Sequence, residues 1–389
     1  MRTNTCLLAF LIFSTCFCSA QSNKKKEAGV KFKKHVLTND FVSEGVAVGD
    51  VNKDGKADVL AGGYWFEAPG WTKHEISNAG AFKTKEYSNS FLNFTLDVNQ
   101  DGWVDLIRVG MPGQPASWFE NPKNKPGHWK EHYLFHAVGN ESPALRDIDR
   151  DGIIDLVCAD NVNKKMVWIS APVTRKDTGW TTHIISNDSV RGTHMFTHGL
   201  GFGDMNKDGR EDVVMRDGWW ETPVNRKQTD WTFHPANLGD EAAQMYILDL
   251  DEDGDMDVIS SSAHRYGIWW HEQVKEGDQI NWKQHEISSA FSQTHGMAFA
   301  DVNGDGHPDI ITGKRYYAHN GGDPGAEDAS VLFWFEYIPG KVPKWIPHQV
   351  DDNSGVGLQA VAVDINKDKR IDIVIGNKKG VFVFEQLKP

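Results

Sequence analysis

Cysteine that could staple a fold is almost missing from this chain. Cys6, Cys16 and Cys18 fall within the first twenty residues, and Cys158 alone lies beyond them. With one thiol left, no intramolecular disulfide is available, and the fold must be held by its core and by bound ions. Cys158 follows Leu156-Val157 in an apolar stretch and reads as a buried thiol rather than a nucleophile. Long apolar runs are as scarce. One runs from Leu7 to Phe17, with Arg2 before it and Cys18-Ser19-Ala20 after it. This predicts a signal peptide over residues 1–20 and a solvated linker over 21–29, hence export to the periplasm or the extracellular space; lipid anchoring at Cys16 or Cys18 fits less well. No other stretch approaches the ~20 apolar residues of a membrane span. Helical periodicity is absent, and no basic stripe remains once the linker lysines are set aside, which excludes a nucleic-acid surface.

What the chain does contain is a short acidic phrase written seven times: DVNKDGKAD, DVNQDGWVD, DIDRDGIID, DMNKDGRED, DLDEDGDMD, DVNGDGHPD and DINKDKRID. Oxygen-bearing side chains recur at positions 1, 3, 5 and 9, with Gly at position 6 in six of the seven. Alternate residues pointing inward around a tight Gly turn are how a loop wraps a hard cation, and Ca²⁺ is the ion these ligand types prefer. The candidate ligands are Asp50, Asn52, Asp54 and Asp58; Asp97, Asn99, Asp101 and Asp105; Asp147, Asp149, Asp151 and Asp155; Asp204, Asn206, Asp208 and Asp212; Asp249, Asp251, Asp253 and Asp257; Asp301, Asn303, Asp305 and Asp309; and Asp364, Asn366, Asp368 and Asp372. Lys369 replaces Gly in the last, which is the weakest candidate. These positions hold 23 of the 54 acidic residues, so the net charge of −13 belongs mostly to the loops and says little about partners. A structural role for the ions is expected, because catalysis would need an open coordination position and converging side chains.

Loop starts are spaced by 45 to 63 residues, the range of a four-stranded propeller blade. Each unit runs in one order: an apolar strand into the loop, a second strand out of it, an aromatic-acid strand such as Trp65-Phe66-Glu67 or Trp334-Phe335-Glu336, and a strand written W-x-x-H, as in Trp71/His74 and Trp345/His348. The seventh unit stops after its third strand, at Phe384-Glu385, while Phe32-Lys33-Lys34-His35 supplies the missing fourth at the other end. The expected fold is therefore all-β, a seven-bladed propeller over residues 30–389, closed by an N-terminal strand that completes the last blade and removes a free edge.

These phrases resemble the FG-GAP/VCBS repeat family, which includes integrin α-subunit propellers and secreted bacterial propellers. The added WFE and W-x-x-H pattern is similar to the propeller of fungal aldos-2-ulose dehydratases and related bacterial carbohydrate-active proteins. That second resemblance implies sugar chemistry without naming a substrate.

Histidines present once per blade (His35, His74, His132, His183, His234, His285 and His348) read as fold grammar. Chemistry is sought in what does not repeat. Six residues before each loop Asp, near the start of the innermost strand, the ring reads Glu44, Phe91, Glu141, His198, Ala243, His295 and Leu358, followed in the next position by Gln244 and Gln359 in the fifth and seventh units. The turns between second and third strands add Arg216, His264-Arg265 and Lys314-Arg315-Tyr316, the last opening the longest insertion, Tyr316 to Ser330. Such groups at the mouth of a funnel suit an acidic or oxidised oligosaccharide. β-Elimination needs the carboxylate neutralised, a base for the α-proton and an acid for the departing oxygen. Arg265, Lys314 or Arg315 suit the first role, His198 or His295 the second, and Tyr316 or the other His the third. Glu44, Glu141, Arg216, Gln244, His264 and Gln359 are candidate substrate contacts. The leading expectation is a carbon–oxygen lyase or dehydratase. Its rival is a non-catalytic glycan-binding or adhesion propeller. A transition metal on the axis, held by His198, His295, Glu44 and Glu141, is a secondary reading. Glycoside hydrolysis is disfavoured, because it usually wants two facing carboxylates and only Glu44 and Glu141 offer them, two blades apart.

Overall fold

The computed structural model describes residues 29–388 except 79, 173–178 and 278; the expected signal peptide and nearly all of the linker lie outside the described residues. Residues Val30–Lys388 form one compact unit of seven four-stranded antiparallel sheets, a seven-bladed β-propeller. Blade one is made of Ala47–Gly49, Asp58–Ala61, Tyr64–Glu67 and Thr72–Glu75, and the next five repeat its sequential order. Blade seven takes Ala360–Val363, Asp372–Asn377 and Gly380–Gln386 from the end of the chain and Phe32–Thr38 from its start. That N-terminal strand pairs antiparallel with the third, Phe32 opposite Gln386 and Val36 opposite Phe382, so the ring is closed by β-pairing as the repeats predict.

The repeated side chains explain why the strands keep register. In the first six blades the His of the outer strand sits directly opposite the Trp of the aromatic-acid strand, as in Trp65 opposite His74, Trp118 opposite His132 and Trp219 opposite His234; in the seventh His35 faces Val383. The rings stack, with centroids 4.2, 4.1 and 4.0 Å apart. The same His pairs through Nε2 with the Glu of the aromatic-acid strand, as in His74–Glu67 at 2.8 Å and His132–Glu120 at 2.9 Å, except in the third blade, where His183 meets Ser170 at 3.1 Å. A one-residue slip would break both contacts at once. The Trp of W-x-x-H does something else. Trp129 and Trp231 are buried, and their backbone N–H groups donate to Ile76 and Ile185 of the preceding blade. An indole burying about 200 Å² contributes about 5 kcal/mol of apolar transfer at about 25 cal/mol per Å², before entropy.

Position 9 of each acidic phrase begins the second strand and is buried in all seven blades. The Asp58 carboxylate accepts N–H bonds from Val51 at 3.0 Å and Ala68 at 2.8 Å, tying the loop to the exit of the third strand. Asp105, Asp212, Asp257, Asp309 and Asp372 repeat both contacts with their own neighbours. Burial and the neighbouring loop carboxylates raise this group, to about 6 for Asp58 and about 7 for Asp105.

Candidate functional site

Around the axis the blades are laced by their entry segments. Glu44 N–H donates to Ser90 O, Glu141 N–H to Thr197 O, and Leu358 N–H to Glu44 O, closing the seventh blade on the first. Gln359 donates to Asn93 O (3.0 Å) and accepts from Asn93 N–H (2.8 Å), reaching past the first blade. Gln244 does the same past the sixth, to Leu358 O at 3.0 Å, while accepting from Met297 N–H at 2.9 Å. Both expected substrate contacts are thus used up as cross-braces of the inner wall.

The other ring residues converge. Arg315 is 1% exposed, with Nη2 2.7 Å from Glu44 and Nη1 3.8 Å from Glu141. Next to Glu141 stands His198, Nε2 to Oε2 at 3.4 Å. Ring centroids of His198 and His295 lie 5.6 Å apart, His198 and His264 4.9 Å, His295 and His319 5.1 Å, and His264 and His319 4.1 Å. Four imidazoles therefore meet, three of them (His198, His264 and His295) among the residues the sequence pattern singled out. Carboxylates flank them. His264 sits 3.1 Å from Glu241 and 3.6 Å from Asp323, and His319 Nδ1 donates to Asp323.

Burial sets the charges. For Glu141, burial alone would raise the carboxyl, but His198, Arg315 and His319 outweigh it and bring it down to about 2. His295 is held well below the ordinary imidazole value by burial, with Arg315 and the neighbouring histidines adding to it, so it is neutral at physiological pH. Burial lowers His319 as well, against the pull of Asp323.

His198, His264 and His319 line a cavity of about 530 Å³ whose wall also includes Tyr87, Phe91, Glu141, Phe196, Arg216 and Glu241, while His295 is buried behind them. A second cavity of the same volume adjoins it, sharing Arg216, Glu241 and His264 and adding Arg265 and Asp323. A larger groove of about 750 Å³ shares no residue with either and is lined by repeat residues of blades one and two, among them Asn52, Trp65, Glu67 and His74.

Three further expected site residues are not free to meet a ligand. Arg315 is committed to Glu44 and Glu141. Lys314 is buried, its Nζ donating to Gln293 Oε1 and to Ala326 O, both at 3.1 Å. Tyr316 lies under the Lys379 ammonium, 4.8 Å from its ring centroid, and does not line the cavity. Conversely, His319, Asp323 and Glu241 were not among the expected site residues. His319 and Asp323 come from the long insertion, whose backbone bends sharply through Tyr317, His319 and Asn320 at φ 50°, 47° and 56°. Side chains in that left-handed region cost about 1–3 kcal/mol each unless held. Lys378 holds the turn. It is buried, donates to Tyr317 O at 3.3 Å and lies 4.2 Å from the Tyr87 ring centroid, and burial brings its ammonium down to about 8.

The repeats match a described family. The model for the FG-GAP-like repeat matches residues 97–158 and 249–312, and that for the FG-GAP repeat matches 295–332. The chain carries FG-GAP repeats. None of the curated proteins matches it significantly. Among solved structures, the Vibrio cholerae biofilm matrix protein Bap1 is 11% identical, covering 93% of this chain and 92% of that one at a TM-score of 0.50. An Agrocybe aegerita lectin for non-reducing terminal N-acetylglucosamine is 15% identical over 83% and 81%, TM-score 0.47. The rhamnogalacturonan lyase YesW is 11% identical over 92% and 73%, TM-score 0.46. At such identities the likeness is one of fold. In the third FG-GAP loop Asp147, Asp149 and Asp155 bring carboxylate oxygens within 4.8 Å of one another, and in the fifth Asp249, Asp251 and Asp253 do so. Lys56, Lys123, Arg210 and Arg370 reach the position-5 carboxylates of the first, second, fourth and seventh.

Proposed function

We propose that this propeller is an exported carbohydrate-active carbon–oxygen lyase or dehydratase working in the axial cavity on acidic or oxidised oligosaccharides. The observation that carries the reading is His264, half-buried at the junction of two cavities and set between Glu241 and Asp323. An imidazole oriented by carboxylates and open to a cleft is the constellation a general base needs. Aromatic faces from Tyr87, Phe91 and Phe196 suit the C–H side of a pyranose, and the imidazoles and Arg216 suit its hydroxyl and carboxylate edges.

In the elimination, His264 takes the proton α to the sugar's carboxylate or carbonyl. The pair of the broken C–H bond forms the new C=C bond, the β C–O bond breaks, and the departing oxygen leaves with that bond's pair and takes up a proton, as water or as a sugar hydroxyl. Arg216 is held loosely, 3.4 Å from Asp217 and 3.5 Å from Glu241, and is the cation available to the substrate's anionic group. The acidic loops serve as calcium clasps for the scaffold, and the leader at residues 1–20 supports export.

The test is incubation with uronic-acid oligosaccharides and with keto-sugars, following ultraviolet absorbance of the new double bond and product mass. His264→Gln should lower turnover by about 10²–10⁴-fold with substrate binding retained. Full activity in that variant removes His264 from the chemistry. Saturable binding of these sugars without any product would make the protein a glycan-binding propeller instead.

A further inference from the structure

The histidine cavity is the middle one of three. Tyr87 and Met111 belong to its wall and also to that of another cavity, of about 460 Å³, in blade two. With the cavity that shares Arg216, Glu241 and His264, a row of spaces runs from blade two, past the axis, to blade five. Each falls in the range of about 300–1,000 Å³ that houses a small ligand. We infer that the blade-two cavity is a subsite for a carboxylated sugar residue held by Arg108, so that the ligand is an acidic oligosaccharide of three or more residues laid along this row.

Arg108 carries the assignment. It lies on the second strand of blade two, opposite Asn93 and Ser117, and only 14% of its side chain is exposed. The guanidinium is held in place, with Cζ 4.3 Å from the Phe119 ring centroid. Its charge is nevertheless poorly met. Among the described residues it makes one hydrogen bond, Nη1 donating to Ser77 Oγ at 3.3 Å. Glu131 stands 4.0 Å away with 55% of its side chain exposed, and an ion pair so long and so solvated contributes little. Burial lowers the group from the ordinary guanidinium value, with Glu131 opposing it. Arg315 is the contrast: buried, it has Glu44 at 2.7 Å and Glu141 at 3.8 Å. A cation fixed beside a cavity and short of acceptors is prepared for an anion arriving from outside. A guanidinium fork takes a carboxylate through two parallel N–H bonds.

The rest of the cavity suits a pyranose. Phe82 offers an aromatic surface to its C–H side, and the exposed amides of Asn89 and Gln114 can donate to and accept from its hydroxyls. Arg108 and Arg216 line different cavities, so they meet carboxylates on different residues of one chain. That this subsite flanks a reacting sugar rests on the elimination reading; its affinity for an acidic chain does not.

The experiment measures binding of uronic-acid oligosaccharides from monomer to tetramer by calorimetry, in the parent and in the His264→Gln protein, beside neutral oligosaccharides of equal length. Affinity for the acidic series should climb from dimer to trimer or tetramer. Arg108→Gln should lower the affinity of the longer acidic chains by about 10–100-fold while leaving the monomer and the neutral series unchanged. Arg108→Lys keeps the charge and much of the stem, so it should recover part of the loss, and thermal melting of both variants checks the fold. Affinity that does not rise with length, or an Arg108→Gln loss equal on monomer and tetramer, overturns the subsite. Length- and charge-dependent binding without product would sink the lyase and leave the subsite standing. Product formation with affinity indifferent to Arg108→Gln would do the reverse.

Discussion

Arg315 shows how one residue changes meaning once its neighbours are known. In the sequence it is a basic residue in a turn; in the fold it is a buried cation between Glu44 and Glu141. Removing it leaves two carboxylates without their counter-charge in a dry place. Arg315→Met should therefore destabilise the protein by about 3–5 kcal/mol in urea unfolding. Adding Glu44→Gln should recover part of the loss. A single variant within about 1 kcal/mol of the parent would mean that water or another cation reaches the glutamates. His198 and His295 were legible as site residues because they break a repeat that otherwise announces itself seven times. His319 was not. It sits in no repeat position, and only a strained turn held by Lys378 brings it to the cluster.

At the scale of the element, the acidic loop joins two jobs that the phrase alone does not separate. Position 9 is a bracket whose carboxylate takes backbone N–H groups from both sides of the blade, while positions 1, 3 and 5 accept the loop's own N–H groups and are the proposed ion ligands. Buried carboxylates crowded by other carboxylates repel one another, and calcium relieves that repulsion. Chelation is expected to lower the melting temperature, and Ca²⁺ to restore it. The third and fifth loops, with four aspartates each, should fill at the lowest calcium concentration. Asp149→Asn and Asp251→Asn should each shift only that first phase of a calorimetric titration. A melting temperature indifferent to strong chelators would show that the brackets suffice without metal.

For the whole molecule, closure decides stability. The strand Phe32–Thr38 covers the edge of Gly380–Gln386, and without it the seventh blade ends in an open row of backbone donors and acceptors. Deleting residues 30–38 should produce a protein that melts lower and aggregates. A peptide of that sequence added in trans should bind and rescue it by strand addition. Unchanged solubility and melting on deletion would show that the ring closes by packing alone.

The sequence by itself determined the blade count, the strand order within each blade and the closing strand, because these depend on short-range patterns repeated along the chain. An aromatic-acid strand, a W-x-x-H strand and an Asp at a fixed place in a loop carry their meaning within one unit. Only the tertiary structure decided the site. The axial residues come from distant segments, 271 positions apart for Glu44 and Arg315. Whether a polar group there braces the wall, like Gln244 and Gln359, or lines the cavity, like His198, is set by which blade stands opposite. No local pattern records that distance.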